Sequence, residues 1–411
     1  MKSIQKINGF FWVLFLNLFA SPIRADSNRI SLPEETLVDL GMGYNSVTGE
    51  FGERCVRGSV WPTPKDLVHE LAHKSEFELK KIEDVSALKG GLELNLGASF
   101  GLGSYLRDPK VSYFSANDPG HNNVTLMVRS RVVTQVSGVT DLHLQERFSS
   151  LVAPSVGGDL TRGKTDFLVA CGNQFIQSIS WGGEFLALVS FEAETEVKRR
   201  KISGVLGAFI AWANGQGELS HNFSEETRGS RISTKIFQRG GIGEGPAIEV
   251  DKIVEYARNF PSKVTVGSGS VPLSAETRSY GVIYGVSKSN YINLSSQESV
   301  LKKYEEANVK ARALVSQWEQ VQGHPDDYVA FEGSRISRIL SELKAILGKV
   351  EKSAHACVSD LLDGCTYEEP VWPDQAIPAR RPQTGERWPA VSDPDRDPDF
   401  SAPDVVMSTE N

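Results

Sequence analysis

A pair of glycines, Gly182-Gly183, breaks an otherwise apolar run. Phe175, Ile176, Ile179, Phe185, Leu186, Leu188 and Phe191 read as one long strand, interrupted at Trp181-Gly182-Gly183. Glycine inside a strand marks a bulge, a bend or the close approach of another backbone. A strand of this length with a weak point in its middle belongs to a large sheet that changes course there. A residue with a Cβ at the same place would obstruct that change.

The glycine pair has a wider context. Cys171-Gly172-Asn173-Gln174-Phe175 precedes it, and six residues separate Phe175 from Gly182. This spacing resembles the motif of the membrane attack complex/perforin (MACPF) and cholesterol-dependent cytolysin superfamily, an aromatic-Gly-Thr-His-aromatic run followed by a glycine pair. Gly172, Phe175, Gly182 and Gly183 match it. Cys171, Asn173 and Gln174 depart from it, at the positions of the first aromatic, the Thr and the His. Upstream, Gly41-Met42-Gly43-Tyr44-Asn45-Ser46-Val47-Thr48-Gly49 resembles the opening of many members of the family. Downstream, Arg239-Gly240-Gly241 resembles the strand end that precedes a short helix, here Ile253 to Phe260 ahead of Pro261. The likeness covers about residues 35–290.

The resemblance implies an α+β fold: a bent, twisted four-stranded antiparallel sheet flanked by helical clusters. Apolar patterning supplies candidates for its strands near 76–86, 122–137, 166–192 and 230–240, with long connections at 87–121 and 193–229. Residues 26–75 read as loops with a helix, and Leu142 to Leu151 as a short amphipathic helix. In the family the two connections are compact in the soluble form and extend as β-hairpins into membrane. The first connection carries its own signal. Leu92, Leu94, Leu96, Phe100, Leu102 and Leu106 alternate with small or polar residues. That is the period of a strand with one apolar face, at the length of a membrane-crossing strand; an ordinary half-buried strand shows the same alternation. The second connection is less suited. After the apolar Val205 to Trp212 come Asn214, Gln216, Glu218, His221, Glu225, Glu226 and Arg228, with only Leu219 and Phe223 to face lipid.

Ser295 to Gln322 reads as a helix whose apolar residues, from Val300 to Val321, keep a 4-3 spacing. Ser295 and Glu298 fit a capping box. Ile336 to Cys357 repeats the spacing beyond Gly323 and Pro325. Two such seams joined by a short loop predict an antiparallel helical hairpin over 291–365, packed on the sheet domain or free to bind a partner. From residue 366 the chain holds eight of its 19 prolines and many aspartates. That composition predicts a disordered tail.

The N-terminus reads as a signal peptide over residues 1–25, with Lys2 and Lys6 before an apolar core from Phe10 to Phe19. Its apolar run is too short to span a bilayer as a helix. The expected location is therefore secreted or periplasmic. Four cysteines suit an oxidising compartment. Cys357 and Cys365 are the natural pair; Cys171 reads as a buried thiol, with Cys55 either bonded to it or free. A net charge of −8 without a basic run excludes a nucleic-acid partner.

One chemical motif competes. His69-Glu70-Leu71-Ala72-His73 is a literal H-E-x-x-H, which on a helix presents two zinc ligands and a general base. Glu76 and Leu79 stand where a metzincin would continue with Gly and His. The reading is therefore a non-enzymatic protein without cofactor or metal, acting on a target lipid or surface receptor. It is expected to be monomeric in solution and to form a homo-oligomer and a pore on membrane. The alternatives are a non-lytic adhesion or binding protein of the same fold, and a zinc peptidase through His69, Glu70 and His73.

Overall fold

The computed structural model describes residues 27–33, 37–61, 74–96, 100, 108–116, 123–152, 160–193, 196–214, 227, 230–243, 245–246, 249–289, 291–329, 332–359, 364–373 and 376–378. In chain order the strands are β1 (Ser27–Ser31), β2 (Met42–Tyr44), β3 (Phe51–Arg54), β4 (Val56–Trp61), β5 (Lys74–Ile82), β6 (Asn123–Leu144), β7 (Gln174–Glu192), β8 (Arg231–Arg239) and β9 (Val271–Ser279). The helices are α1 (Val85–Leu92), α2 (Pro109–Ala116), α3 (Glu146–Val152), α4 (Leu160–Cys171), α5 (Glu196–Ala213), α6 (Val250–Asn259), α7 (Ser295–Gly323) and α8 (Gly333–Ser359). The signal peptide, the H-E-x-x-H run, Leu102, Leu106 and residues 379–411 lie outside the described residues.

All the strands join one antiparallel sheet built on β6 and β7, of 22 and 19 residues. These two pair from Asn123–Glu192 to Gly138–Ser178. One end of the pair is flanked by β5 on β6 and β8 on β7, giving the four-stranded order β5-β6-β7-β8. At the other end β4 replaces β5 and β9 replaces β8, with β1 outside β9. The sheet therefore forks along its length. Helices cover both faces, so the fold is α+β, as the resemblance implies.

The fork lies at the glycine pair. β8 holds β7 from Glu192 to Glu184, and β9 holds it from Gly182 to Gln174. The β6–β7 register shifts between Val133 and Gln135, and the β7–β9 register between Ser180 and Trp181. Such bulges bend a strand and tighten its twist. Thr134, the extra residue, donates through Oγ1 to the carbonyl of Trp181 at 3.2 Å. A Cβ on Gly182 would overlap the carbonyl of Val132, and one on Gly183 would stand 2.5 Å from Val264 and 3.1 Å from the Phe260 ring. Gly240 and Gly241, with φ of +66° and +80°, turn the chain out of β8 at the same place. A Cβ on Gly240 would overlap the carbonyl of Gly269 and stand 2.9 Å from that of Gly182.

Several expectations need correction. Residues 166–171 are the end of α4, not the start of the motif strand. Phe167, Leu168 and Cys171 are buried while Val169 is 80% exposed, a helical period inside an apolar run. The N-terminal region expected as loops and a helix supplies β1 to β4. The helix expected from Leu142 starts at Glu146, because Leu142 and Leu144 complete β6. Ser295 and Glu298 form no capping box: Asn293 caps the Ser295 N–H at 3.0 Å, and the Glu298 carboxylate accepts from Ser46. The hairpin packs on the sheet domain through Leu301, Tyr304, Val350 and Ala354, against Val47 and Leu168. Cys357 and Cys365 are bonded at its end. The chain beyond is not disordered over its first part. Thr366 accepts from the Tyr304 hydroxyl at 2.9 Å, and Trp372 and Ile377 pack on the hairpin.

The crowding at the fork and the open space elsewhere make opposite predictions for the same substitution. Gly182→Ala should destabilise the fold by about 1–3 kcal/mol or more, the usual cost of overpacking. Gly204→Ala, on the exposed side of α5 with nothing within 4 Å of its Cβ, should stabilise by about 0.5–1 kcal/mol, the helical advantage of Ala over Gly. Urea denaturation midpoints of the two variants check this.

Candidate functional site

The residues singled out by the motif separate into two places on β7. Gly172 and Phe175 lie at its start; the glycine pair lies at its middle. Gly172 has φ +67°, and a Cβ there would overlap the carbonyl of Tyr44. Phe175 is fully buried, with its ring centre 5.5 Å from that of Tyr280. The three departures from the motif each have a partner of their own. Cys171 is bonded to Cys55. Asn173 accepts from the Ser46 N–H at 2.9 Å and donates to its hydroxyl at 2.7 Å. Gln174 accepts from the Thr277 hydroxyl at 2.6 Å. Burial without such a partner would cost each polar group roughly 1–3 kcal/mol. These side chains thus tie the loop after β2, the link between β3 and β4, and β9 to the chain entering β7. The sequence left the Cys55–Cys171 bond open, since 116 residues separate the two.

The two connections occupy opposite faces of the four-stranded end, because successive strand residues point to opposite sides. On one face Val124, Leu126, Val128, Phe185, Ala187, Val189 and Phe191 pack against Ile202, Leu206 and Phe209 of α5. On the other face Met127, Leu186, Leu188 and Phe237 pack against Val85, Leu88 and Leu92 of α1 and Phe114 of α2. Over their described residues both connections are thus largely helical and packed on the sheet.

The described residues of the alternating run, 92–96 and 100, do not form a strand. The Asp84 carboxylate caps α1, accepting from the Ala87 N–H at 2.7 Å, and the helix runs to Leu92. Glu93 ends it in the left-handed region at φ 51°. Leu92 is buried and Leu94 packs beside it. Leu96 and Phe100 pack against α7 instead. Of the alternation's described residues, Leu92 and Leu94 thus pack on one surface and Leu96 and Phe100 on another.

Sequence reasoning missed a buried charge network under this connection. Glu184, next to the glycine pair on β7, accepts from Arg129 of β6 (Nε, 3.0 Å) and from Lys110 of α2 (2.7 Å). Glu93 sits 2.8 Å from both Arg129 and Arg131. The Glu184, Lys110 and Arg129 side chains are 6%, 9% and 9% exposed. Burial opposes the charge on Glu184, but Lys110, Arg129 and Arg131 outweigh it and hold its carboxyl well below the usual carboxylate range. Burial likewise opposes the charge of Glu93, and Arg129 and Arg131 bring its pKa below the ordinary value. The network ties both helices of the first connection to the two central strands. A cavity of about 230 Å³ spans the fork, lined by Arg29, Ser180 and Glu276 towards β9 and by Lys74, Glu76 and Arg131 towards β5.

Among the described residues, no group of three or more His, Cys, Asp or Glu is placed to hold a metal ion, and no helix is long and apolar enough to cross a membrane.

Because Glu93 and Glu184 have lowered folded values, their contribution to stability is complete above the ordinary glutamate value of 4.5 and fades only as pH falls through the folded values. Stability arising from this network should be flat from pH 8 to about 5. Glu184→Gln leaves Arg129 and Lys110 buried without their anion, and should cost about 3–5 kcal/mol at neutral pH. It should also flatten the loss of stability in acid. Thermal melts of the two proteins between pH 3 and 8 check both.

No family model and no curated protein matches the sequence. Solved structures do. The chain is similar to a stonustoxin structure at 11% identity, over 82% of this chain and 43% of that one, with a TM-score of 0.43. It is similar to a sugar-binding protein, pneumolysin, at 8% identity, over 61% of this chain and 59% of that one, with a TM-score of 0.35. A third is a putative cell invasion protein with a MAC/perforin domain from Bacteroides thetaiotaomicron, at 15% identity, over 61% and 59%, with a TM-score of 0.28. The chain spans about half the length of these structures. The features that the sequence resemblance implied stand in the chain's own geometry: the order β5-β6-β7-β8, the change of course at the glycine pair, and helices packed on opposite faces of the sheet.

Proposed function

We propose that this is a secreted, non-enzymatic protein that acts at a membrane by self-association and insertion of its two connections. The observation that carries this reading is the placement of those connections. Each joins consecutive antiparallel strands, β5 to β6 and β7 to β8, so each can lengthen an existing hairpin without changing its neighbours. All backbone groups would then pair between strands of a closed barrel, as a bilayer demands. The expected partners are a target lipid or surface receptor and further copies of the same chain, with a monomer in solution.

The second reading is a non-lytic binding protein of the same fold. The polar composition of residues 214–228 favours it, because charges on a lipid-facing strand cost about 2–4 kcal/mol each near the bilayer midplane. A zinc peptidase through His69, Glu70 and His73 is the third reading, tested by the metal content of the purified protein.

Environment-sensitive fluorophores at Leu94→Cys and Ala208→Cys, one in each connection, separate the first two readings on liposomes loaded with dye. Insertion predicts that both probes move to an apolar environment, reached by lipid-borne quenchers, as dye is released. Surface binding with neither probe quenched leaves the binding-only reading in place.

A further inference from the structure

α1 and α2 have eight residues each. Helices of that length are marginal in water without tertiary support, and their last carbonyls lack partners within the helix. The support here comes in part from the C-terminal hairpin. Arg312 of α7 donates through Nη2 to the carbonyl of Phe114, in the last turn of α2, at 2.6 Å. Its guanidinium also lies 4.4 Å from the centre of the Phe114 ring. Glu305 accepts from Lys89, in the last turn of α1, at 2.5 Å, with side chains 7% and 24% exposed. Val309 packs on the cluster that contains Leu88, Leu92 and Phe114. Leu301 lies in one cluster with Phe100 and Leu96. Residues 301, 305, 309 and 312 form one stripe along α7, at the spacing that shares a helix face. The second connection is held differently. α5 packs on the sheet and α6, and Arg258 of α6 donates to the carbonyl of Ala213 at its end.

We propose that α7 is a releasable lock on the first connection alone: α1 and α2 leave the sheet only after α7 lifts from them, while α5 is outside its control. As a regulator of membrane entry, the lock rests on the reading under Proposed function. As a coupling between two parts of the fold, it is measured without any membrane.

Hydrogen exchange of the full-length chain in buffer tests the coupling. Glu305→Lys and Arg312→Ala should each speed exchange of amides in 85–92 and 109–116 by about tenfold or more, a local opening rather than a global one. β6, β7 and α5 should stay within about twofold of wild type by the same criterion. Exchanging the charges in Lys89→Glu/Glu305→Lys should bring α1 back to within about threefold of wild type, as a direct pairing requires. Unchanged exchange in 85–116 in both single variants overturns the lock. So does a rise that extends equally to β6, β7 and α5. A Lys89→Cys/Glu305→Cys disulfide adds the membrane arm: dye release should be lost when it is oxidised and return on mild reduction. Full release by the oxidised form also overturns the lock. If wild type releases no dye on any liposome, the membrane reading fails and hydrogen exchange alone decides the coupling.

Discussion

A strand has two hydrogen-bonding edges, and β7 shares its two among four neighbours. One edge belongs to β6 and, at its very start, to β2; the other passes from β9 to β8. The handover requires two backbones to cross close to a third. Gly182, Gly183, Gly240 and Gly241 make room for it, with Phe260 and Val264 filling the remaining space. Everything above the fork, including the β1–β9 edge and the disulfide-bound start of β7, is oriented by that crossing. Everything below it is the four-stranded platform on which the two connections rest.

The two faces of that platform are held by different physics. The α5 face is apolar and continuous, so its attachment scales with buried area. The α1–α2 face is apolar over one half and ionic over the other. A buried ionic contact is sensitive to geometry, because removing one partner exposes the desolvation penalty of the rest. It therefore separates less gradually than an apolar contact: the network around Glu184 is either complete or costly. With both carboxyls held below their ordinary values by the neighbouring cations, mild acid is not expected to discharge it.

Much of the fold was legible because the long strands and long helices carry many repeats of their period. Near 76–86 and 230–240 the patterns lead to β5 and β8 within a few residues, near 122–137 to the first part of β6, which runs on to Leu144, and the 4-3 seams lead to α7 and α8. The failures are local and physical. β2 and β3 have three and four residues, too few for a period, and owe their extended form to pairing. α4 was concealed in an apolar run whose helical spacing shows only once Val169 is seen to be exposed. α1 was overwritten by the alternation that starts at Leu92, although Asp84 three residues before Ala87 was a readable cap. Of the candidate site, the glycines were legible because spacing alone reveals them. The network was not: Glu93, Lys110, Arg129 and Glu184 are ordinary charges in sequence, the register of β6 and β7 brings Arg129 to Glu184, and the packing of α1 and α2 adds Glu93 and Lys110.

The cap that Arg312 places on α2 spans 198 residues of sequence. Chains emerge from the ribosome N-terminus first, and parts of a fold form as they become available. The segment 85–116 is therefore made long before the residue that completes one of its helices. For that interval the growing protein holds an apolar segment whose final partner does not yet exist. Long-range closure of this kind is slow, and it leaves apolar surface exposed to association while it waits. The helical hairpin thus determines when the packing of α1 and α2 can be completed, and until it is made the chain depends on being kept apart from other apolar surfaces.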